Sequence, residues 1–201
     1  MIKNIVFDIG NVLTDFRLME FLHDKGLDGE MAKRVIMATV KTPYWDEFDK
    51  GAISEEEAMY AFAKGAPDIA EEIHKAFDDI SNMVVPRDYA IPFLKELKAA
   101  GYHVYYLSNF SKKAYDECRE SLSFLEEMEG GMMSFQEYIV KPNPVMYYRF
   151  LKRFSLVPEE CVFLDDTPGN VTAAIESGMQ GLVFTTKEQA VEDLRALGVR
   201  I

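Results

Sequence analysis

Cysteine, basic charge and long apolar runs are all scarce in this chain of 201 residues. The only two cysteines, Cys118 and Cys161, lie far apart, which excludes a disulfide framework and favours a reducing compartment. No run approaches the ~20 apolar residues of a membrane-spanning helix, and the apolar run near the start is too short for a secretory signal. We therefore expect a cytoplasmic protein with no membrane partner.

Basic residues are outnumbered by acidic ones, 22 against 34, and the formal net charge at pH 7 is −12. Long-range repulsion at this charge opposes binding to nucleic acids or anionic membranes. Small anionic substrates remain possible, because local groups decide their binding. Hydrophobic residues make up 48% of the chain, which is enough to close one domain, or one domain with a smaller insertion.

Short apolar runs that stop at polar or glycine residues predict β-strands buried on both faces. These runs are residues 5–7, 104–107, 162–164 and 182–184, with a weaker candidate at 132–135. Helical patterns separate them, at 87–100, 111–122, 144–154, 170–177 and 187–197. Strands that alternate with helices predict right-handed crossovers and a parallel sheet, so we expect a doubly wound α/β domain.

Residues 15–86 interrupt this alternation, because they contain helical signals and no convincing strand. Ser54 and Glu57 are spaced as a capping box, and residues 68–81 place their apolar side chains on one helical face. The stretch predicts an all-helical insertion in a core of residues 1–14 and 87–201, with linkers at 15–16 and 84–87. Such an insertion lies over the strand ends, where open α/β sheets bind ligands.

Polar side chains follow the predicted strands at the edge of the sheet where parallel strands end together. These side chains are Asp8, Ser108, Asn109, Lys141, Asp165 and Asp166. Carboxylates at this density repel one another unless a cation lies between them, and hard oxygen ligands favour Mg²⁺. A carboxylate beside a metal ion and a lysine stays ionised and can attack phosphorus as a nucleophile.

Four segments resemble the motifs of the haloacid dehalogenase (HAD) superfamily and occur in the family's order. They are residues 7–13, 107–109, 141–147 and 164–170. Each motif alone is a weak signal, but together they have fitting spacings, and each follows a strand or opens a helix. The chain thus resembles subfamily I, in which an α-helical cap is inserted in a Rossmann-like core. Residues 10–12 and 48–54 are most similar to the α-D-glucose-1-phosphate phosphatase-like branch.

The resemblance implies a Mg²⁺-dependent phosphatase that hydrolyses a small phosphorylated metabolite, which for this branch is a sugar phosphate. Asp8 would be the nucleophile that forms an aspartyl-phosphate, and it would also bind the metal. The Gly10 carbonyl and Asp166 would be further metal ligands. Asp165 would lie beside the metal or behind its ligands, and Asn170 would orient the two aspartates.

The resemblance also implies which groups hold the phosphoryl oxygens. The implied phosphate contacts are Gly10, Asn11, Ser108, Asn109 and Lys141. Those at Asn11 and Asn109 would be backbone amides, and that at Ser108 its hydroxyl. Lys141 would in addition stabilise the nucleophile, so Asp8, Lys141 and Ser108 form the implied catalytic set.

One departure from the family pattern concerns the general acid. Family phosphatases usually carry a second aspartate two residues after the nucleophile, and here that position is Gly10. Three explanations are open: a substrate with a good leaving group, such as an anomeric sugar phosphate; an acid from the cap or from water; or slow or absent turnover. We favour the first, which predicts faster hydrolysis of glucose 1-phosphate than of glucose 6-phosphate. Tyr138 is a smaller departure, since many relatives have glycine near that position.

Other functions fit parts of the pattern. A phosphomutase would need the acid that Gly10 lacks, and a dehalogenase attacks carbon without the metal that paired Asp165 and Asp166 suggest. A phosphate-binding regulatory protein without useful turnover is the alternative from another class. In the cap, Tyr44, Trp45 and Phe48 are possible substrate contacts, although aromatic residues there more often form the core. No feature of the sequence predicts an oligomeric state.

Overall fold

A five-stranded parallel sheet forms the centre of the computed structural model, which describes all residues, Met1–Ile201. In chain order the strands are β1 (Asn4–Phe7), β2 (Thr14–Phe16), β3 (Val84–Pro86), β4 (His103–Ser108), β5 (Gly130–Met133), β6 (Cys161–Asp165) and β7 (Gln180–Val183). The sheet has the spatial order β5-β4-β1-β6-β7, and all its neighbouring strands run parallel. The doubly wound α/β fold predicted from the sequence is confirmed.

Helices cover both faces of the sheet and make up the insertion. They are α1 (Leu18–Asp24), α2 (Gly29–Ala38), α3 (Pro43–Asp49), α4 (Glu55–Gly65), α5 (Ala70–Phe77), α6 (Ala90–Ala99), α7 (Lys112–Glu117), α8 (Ser134–Glu137), α9 (Pro144–Arg153), α10 (Pro168–Glu176) and α11 (Lys187–Ala196). Three 3-10 segments, at Pro67–Ile69, Glu120–Glu127 and Pro158–Glu160, complete the structure. None of these helices combines the length and the apolar character needed to cross a lipid bilayer.

The central strands are buried on both faces because their side chains alternate between two apolar layers. In β1, Ile5 and Phe7 belong to the layer that contains α6, and the ring centroids of Phe7 and Phe93 lie 5.7 Å apart. Val6 belongs to the opposite layer, with Phe150 of α9. A strand that packs on both sides is apolar along its middle, and this continuous apolar run is the pattern that identifies it in the sequence.

The cap consists of α1 to α5, which lie between β2 and β3. Its α4 begins with the predicted capping box, because Ser54 Oγ accepts from the Glu57 amide and the Glu57 carboxylate accepts from the Ser54 amide. Trp45 stacks on Phe62 and meets Phe77 edge to face. These cap side chains pack in the same apolar layer as Phe7, so the cap rests directly on the core.

Four parts of the predicted secondary structure require correction. The weaker strand candidate at 132–135 is β5 at Gly130–Met133, because α8 begins at Ser134. The linkers pair as antiparallel strands β2 and β3, with Phe16 opposite Val84, although no strand was expected there. Strands of three residues are too short to show an alternating pattern. The helix predicted over 68–81 begins as a 3-10 turn and ends at Phe77, and the helix predicted over 111–122 ends at Glu117, where irregular and 3-10 structure follows.

Gly131 allows β4 and β5 to approach closely, because a Cβ at this position would clash with the ring and the carbonyl of Tyr106. We expect Gly131→Ala to lower the free energy of unfolding by about 1–3 kcal/mol. In Gly65→Ala the new methyl group meets nothing within 4 Å, so the change should be neutral or stabilising by about 0.5–1 kcal/mol. Urea unfolding measures both, and equal stabilities would contradict the close packing at Gly131.

Candidate active site

The carboxyl ends of three adjacent strands bring together residues that are distant in sequence. β1 lies between β4 and β6; Asp8 follows β1, Ser108 ends β4 and Asp165 ends β6. The Asp8 amide donates to the Leu164 carbonyl at 2.8 Å, so the β1–β6 ladder holds the backbone of Asp8. The crevice at this edge is where open parallel sheets bind ligands.

Lys141 joins the carboxylates of Asp8 and Asp165. Its Nζ lies 2.8 Å from Asp8 Oδ1 and 2.6 Å from Asp165 Oδ2, and the residue is only 3% exposed. Burial lowers the pKa of the Lys141 ammonium, whereas the charges and hydrogen bonds of the two aspartates raise it. The second effect is larger, so the pKa of Lys141 lies above its ordinary value. Lys141 is therefore a stable cation between two carboxylates.

Asp8 has a carboxyl group that its surroundings make harder to ionise. Burial raises the pKa of Asp8 to about 6. The charge of Lys141 lowers this pKa, and the charge of Asp165 raises it. A hydrogen bond with Ser108 favours the ionised form. A further cation at the site would ionise Asp8 more completely, since an opposite charge within a few ångströms lowers a carboxyl pKa.

Asp165 and Asp166 have different surroundings although they are adjacent in sequence. Asp165 is fully buried, and its oxygens accept hydrogen bonds from Lys141, from Asn170 Nδ2 and from the Thr167 amide. Asp166 is partly exposed, and its Oδ2 accepts from Asn11 Nδ2 at 2.9 Å. The oxygens of Asp165 thus already accept hydrogen bonds from the protein, whereas the carboxylate of Asp166 is partly accessible to solvent.

The three carboxylates fit a divalent cation. Asp8, Asp165 and Asp166 each offer an oxygen, and these oxygens all lie within 4.8 Å of one another. One buried lysine faces this group, so negative charge remains to be neutralised. An all-oxygen donor set of this kind suits Mg²⁺. Asp8 and Asp166 are the members that face the cavity.

Asn109 has a role that the sequence did not suggest. Its Nδ2 donates to the Lys141 carbonyl at 3.0 Å, and its Oδ1 accepts from the Lys141 amide at 2.8 Å. The side chain thus fixes the backbone that carries the buried ammonium. Only the backbone amide of Asn109 was expected to contribute, and no local pattern links residues 32 positions apart.

Asn11 connects the first motif to the fourth. Its φ of 56° lies in the left-handed region, which asparagine tolerates better than most residues. Its side chain donates to Asp166 and accepts from the Phe16 amide at 3.3 Å. Asn11 therefore ties the turn after Asp8 both to Asp166 and to the first strand of the linker.

A cavity of about 220 Å³ lies over the carboxylates, between core and cap. Asp8, Gly10, Asn11, Asn109 and Asp166 line it from the core, and Trp45 and Asp49 line it from α3. Ser108, Lys141, Asp165 and Asn170 are buried and are not part of this lining. Direct contact of Ser108 and Lys141 with a phosphoryl group thus stays a prediction.

Of the three candidate cap aromatics, the structure brings only Trp45 to the cavity. Tyr44 is 50% exposed, and Phe48 is buried in the cap interior. Successive residues of α3 point about 100° apart around the helix axis, so the three aromatic side chains face different directions. Tyr138 is also outside the lining and is mostly exposed, with a left-handed φ of 57°. Sequence reasoning missed Asp49, because nothing in its local pattern distinguishes it from the other acidic residues of the cap.

Known proteins with similar sequences and structures cover nearly the whole chain. The sesquiterpene phosphatase astK of Aspergillus oryzae is 26% identical over 97% of this chain and 96% of its own length. D-ribitol-5-phosphate phosphatase of Bacteroides thetaiotaomicron is 27% identical over 90% of each chain. Other curated relatives are longer, and the chain spans 63% and 36% of two of them.

The fold also matches the crystal structure of a HAD family enzyme from Bacteroides thetaiotaomicron in complex with magnesium and inorganic phosphate. That match has a TM-score of 0.71 and 20% identity, and it covers 93% of this chain and 96% of the other. The model of a family described as haloacid dehalogenase-like hydrolase matches residues 2–178. With this match and the four motifs in place at the sheet edge, the chain belongs to the haloacid dehalogenase-like hydrolases.

Proposed function

We propose that this protein is a Mg²⁺-dependent phosphatase that hydrolyses a small phosphorylated metabolite through an aspartyl-phosphate on Asp8. The observation that carries the proposal is the surroundings of Asp8: its carboxylate lines the cavity, Lys141 holds its Oδ1, and two further carboxylates lie within 4.8 Å. The sequence relatives named as phosphatases support the same reaction class.

Asp8, Asp166 and the Gly10 carbonyl would hold the Mg²⁺ ion, with Asp165 behind them. When bound, Mg²⁺ supplies positive charge that neutralises phosphoryl oxygens. Asp8 is the nucleophile, and Lys141 orients it through Oδ1. Asn109 keeps Lys141 in place through two backbone hydrogen bonds. Attack on phosphorus releases the alcohol, and attack by water on the acyl phosphate then regenerates Asp8.

A sugar phosphate is the substrate class that we propose. A cavity of about 220 Å³ suits a small molecule. Besides apolar side chains such as Phe16, Met83 and Phe110, its lining contains Trp45, Asp49 and Ser111, and a polyol can use these polar groups, whereas a terpene chain cannot. The relative that acts on D-ribitol 5-phosphate supports this choice.

Phosphate release from a substrate panel tests the proposal. The panel contains glucose 1-phosphate, glucose 6-phosphate, ribitol 5-phosphate, flavin mononucleotide and a prenyl phosphate. We expect the sugar and polyol phosphates to react fastest. Chelation with EDTA should lower the rate at least about 10²-fold, because the ion stabilises the transition state by several kcal/mol, and excess Mg²⁺ should restore it. Full activity in EDTA, or no hydrolysis of any ester, would contradict the proposal.

A further inference from the structure

The core side of the cavity offers no spare group to protonate a leaving alcohol. Asp8 serves as nucleophile and Asp166 faces the proposed metal, while Lys141 is buried behind Asp8 and does not line the cavity. Gly10 occupies the position where family phosphatases usually carry their acid. A phosphatase with this core needs either a substrate with a good leaving group, as favoured from the sequence, or an acid from elsewhere. The structure offers such an acid in the cap, and its inference rests on the proposed function.

Asp49 is a carboxylic acid on the opposite wall of the same cavity. It is the last residue of α3, and it lines the cavity together with Asp8 and Asp166. None of the ion pairs in the structure involves its carboxylate. Other cap carboxylates without an ion pair, such as Asp24 and Asp46, lie outside the cavity, whereas Asp49 lines the space where the substrate would lie.

The backbone of Asp49 is attached to the core and not only to the cap. Its carbonyl accepts a hydrogen bond from Ser134 Oγ at 2.5 Å, and Ser134 Oγ accepts from the Phe110 amide at 2.8 Å. Ser134 is fully buried. Two residues further on, Gly51 has a φ of 67° and lies against the Phe135 backbone, where a Cβ would be 3.0 Å from the carbonyl oxygen. These contacts hold Asp49 at a defined place over the site.

The surroundings of Asp49 also allow it to hold a proton near neutral pH. Burial raises the pKa of Asp49 to about 7, the charge of Asp46 adds to this, and a hydrogen bond with Trp45 opposes it. A general acid is most effective when its pKa lies near the working pH. An ordinary aspartic acid would be almost fully ionised under these conditions.

We infer that Asp49 is the general acid and base of the reaction, in place of the aspartate that is missing at Gly10. In the first step a bond forms between an Asp8 oxygen and phosphorus, the bond from phosphorus to the alcohol oxygen breaks, and the Asp49 proton passes to that oxygen. In the second step water attacks phosphorus and gives a proton to Asp49. The bond between Asp8 and phosphorus breaks, so inorganic phosphate leaves and both residues are restored.

The test compares esters whose leaving groups differ in acidity. We measure kcat/KM with Mg²⁺ for ribitol 5-phosphate, an alkyl ester that needs an acid, and for p-nitrophenyl phosphate, whose leaving group departs without one. Asp49→Asn should lose about 10²-fold or more on the alkyl ester and less than about tenfold on the aryl ester. An equal loss on both esters, or no loss on either, would overturn the inference.

The matched control is Asp24→Asn, which makes the same change at the last residue of another cap helix. Asp24 is exposed and lies outside the cavity, so both rates should stay within about twofold of the wild type, as expected of a surface change. Gly10→Asp combined with Asp49→Asn should recover alkyl-ester activity, because a Cβ at Gly10 meets only Asp8 Oδ2, at 3.9 Å. Alkyl-ester rates that remain at the Asp49→Asn level would count against an acid role.

The wild-type enzyme supplies a readout that does not depend on how the variants fold. With an acid in place, kcat/KM for a series of aryl and alkyl phosphates should depend only weakly on leaving-group acidity. A steep dependence would overturn the inference while leaving the proposed function intact. A wild-type enzyme inactive on every ester would instead overturn the proposed function, and the inference with it.

Discussion

Replacing Asp8 with asparagine should abolish phosphate release and leave the fold intact. The amide has the shape of the carboxylate but is not a nucleophile, so we expect a loss of about 10⁴-fold or more in kcat. Lys141 keeps its second partner, Asp165, at 2.6 Å. Phosphate release and circular dichroism measure the two effects.

The same substitution should not lower stability. Burial raises the pKa of Asp8 to about 6, which means that its surroundings disfavour the charged form. Removing one of three clustered carboxylates relieves repulsion, and active-site charges of this kind often cost stability. We expect a melting temperature equal to or above that of the wild type when Mg²⁺ is absent. Retained turnover in Asp8→Asn, with the fold preserved, would rule out Asp8 as the nucleophile.

Replacing Lys141 with methionine should damage both stability and catalysis. The change leaves the Asp8 and Asp165 carboxylates buried without their cation. Loss of one partner from a buried ion pair typically costs about 3–5 kcal/mol. Removing a cation that stabilises the reacting groups should lower kcat by about 10²-fold to 10³-fold or more. Both losses exceed those expected of any surface lysine in this chain.

The stability loss in Lys141→Met should depend on pH. Burial and the Asp165 charge raise the pKa of Asp8 while the Lys141 charge lowers it, so without the ammonium the Asp8 carboxyl holds its proton still more tightly in the folded state than in the unfolded state. As pH rises, this carboxyl ionises first in the unfolded chain, and the free energy of unfolding of Lys141→Met falls over that pH range. Urea unfolding in EDTA should therefore show a larger deficit at pH 8 than at pH 5.

Lys112→Met is the matched control for Lys141→Met, because Lys112 is exposed on α7 and pairs with Asp116 one turn away. Such a pair contributes less than about 1 kcal/mol. Wild-type stability of Lys141→Met at both pH values would show that Lys141 does not neutralise the buried carboxylates.

The core and most of the candidate site follow from local sequence. Runs such as 5–7 and 162–164 are apolar at every position because each strand packs on two layers, and each run stops where a polar residue begins. Asp8, Ser108 and Asp165 then meet because parallel strands end at one edge, with β1 between β4 and β6. This convergence follows from the strand order, so it can be predicted without knowing the side-chain contacts.

Features that depend on contacts between distant segments could not be predicted in this way. β2 and β3 pair across about seventy residues and have three residues each. The side chain of Asn109 acts on the backbone of Lys141, which no periodicity reveals. Asp49 lies over the site because α3 ends against Ser134, and a helix that packs one turn differently would send this carboxylate to solvent.

Chemical trapping of the covalent intermediate tests the central claim most directly. The wild-type enzyme is mixed with Mg²⁺ and its best substrate from the panel, quenched rapidly with acid, and digested for mass spectrometry. The peptide that contains Asp8 should carry one phosphoryl group on that residue, and the same peptide from Asp8→Asn should carry none. A phosphoryl group on another side chain, or an unmodified Asp8 in an enzyme that is turning over, would contradict the account.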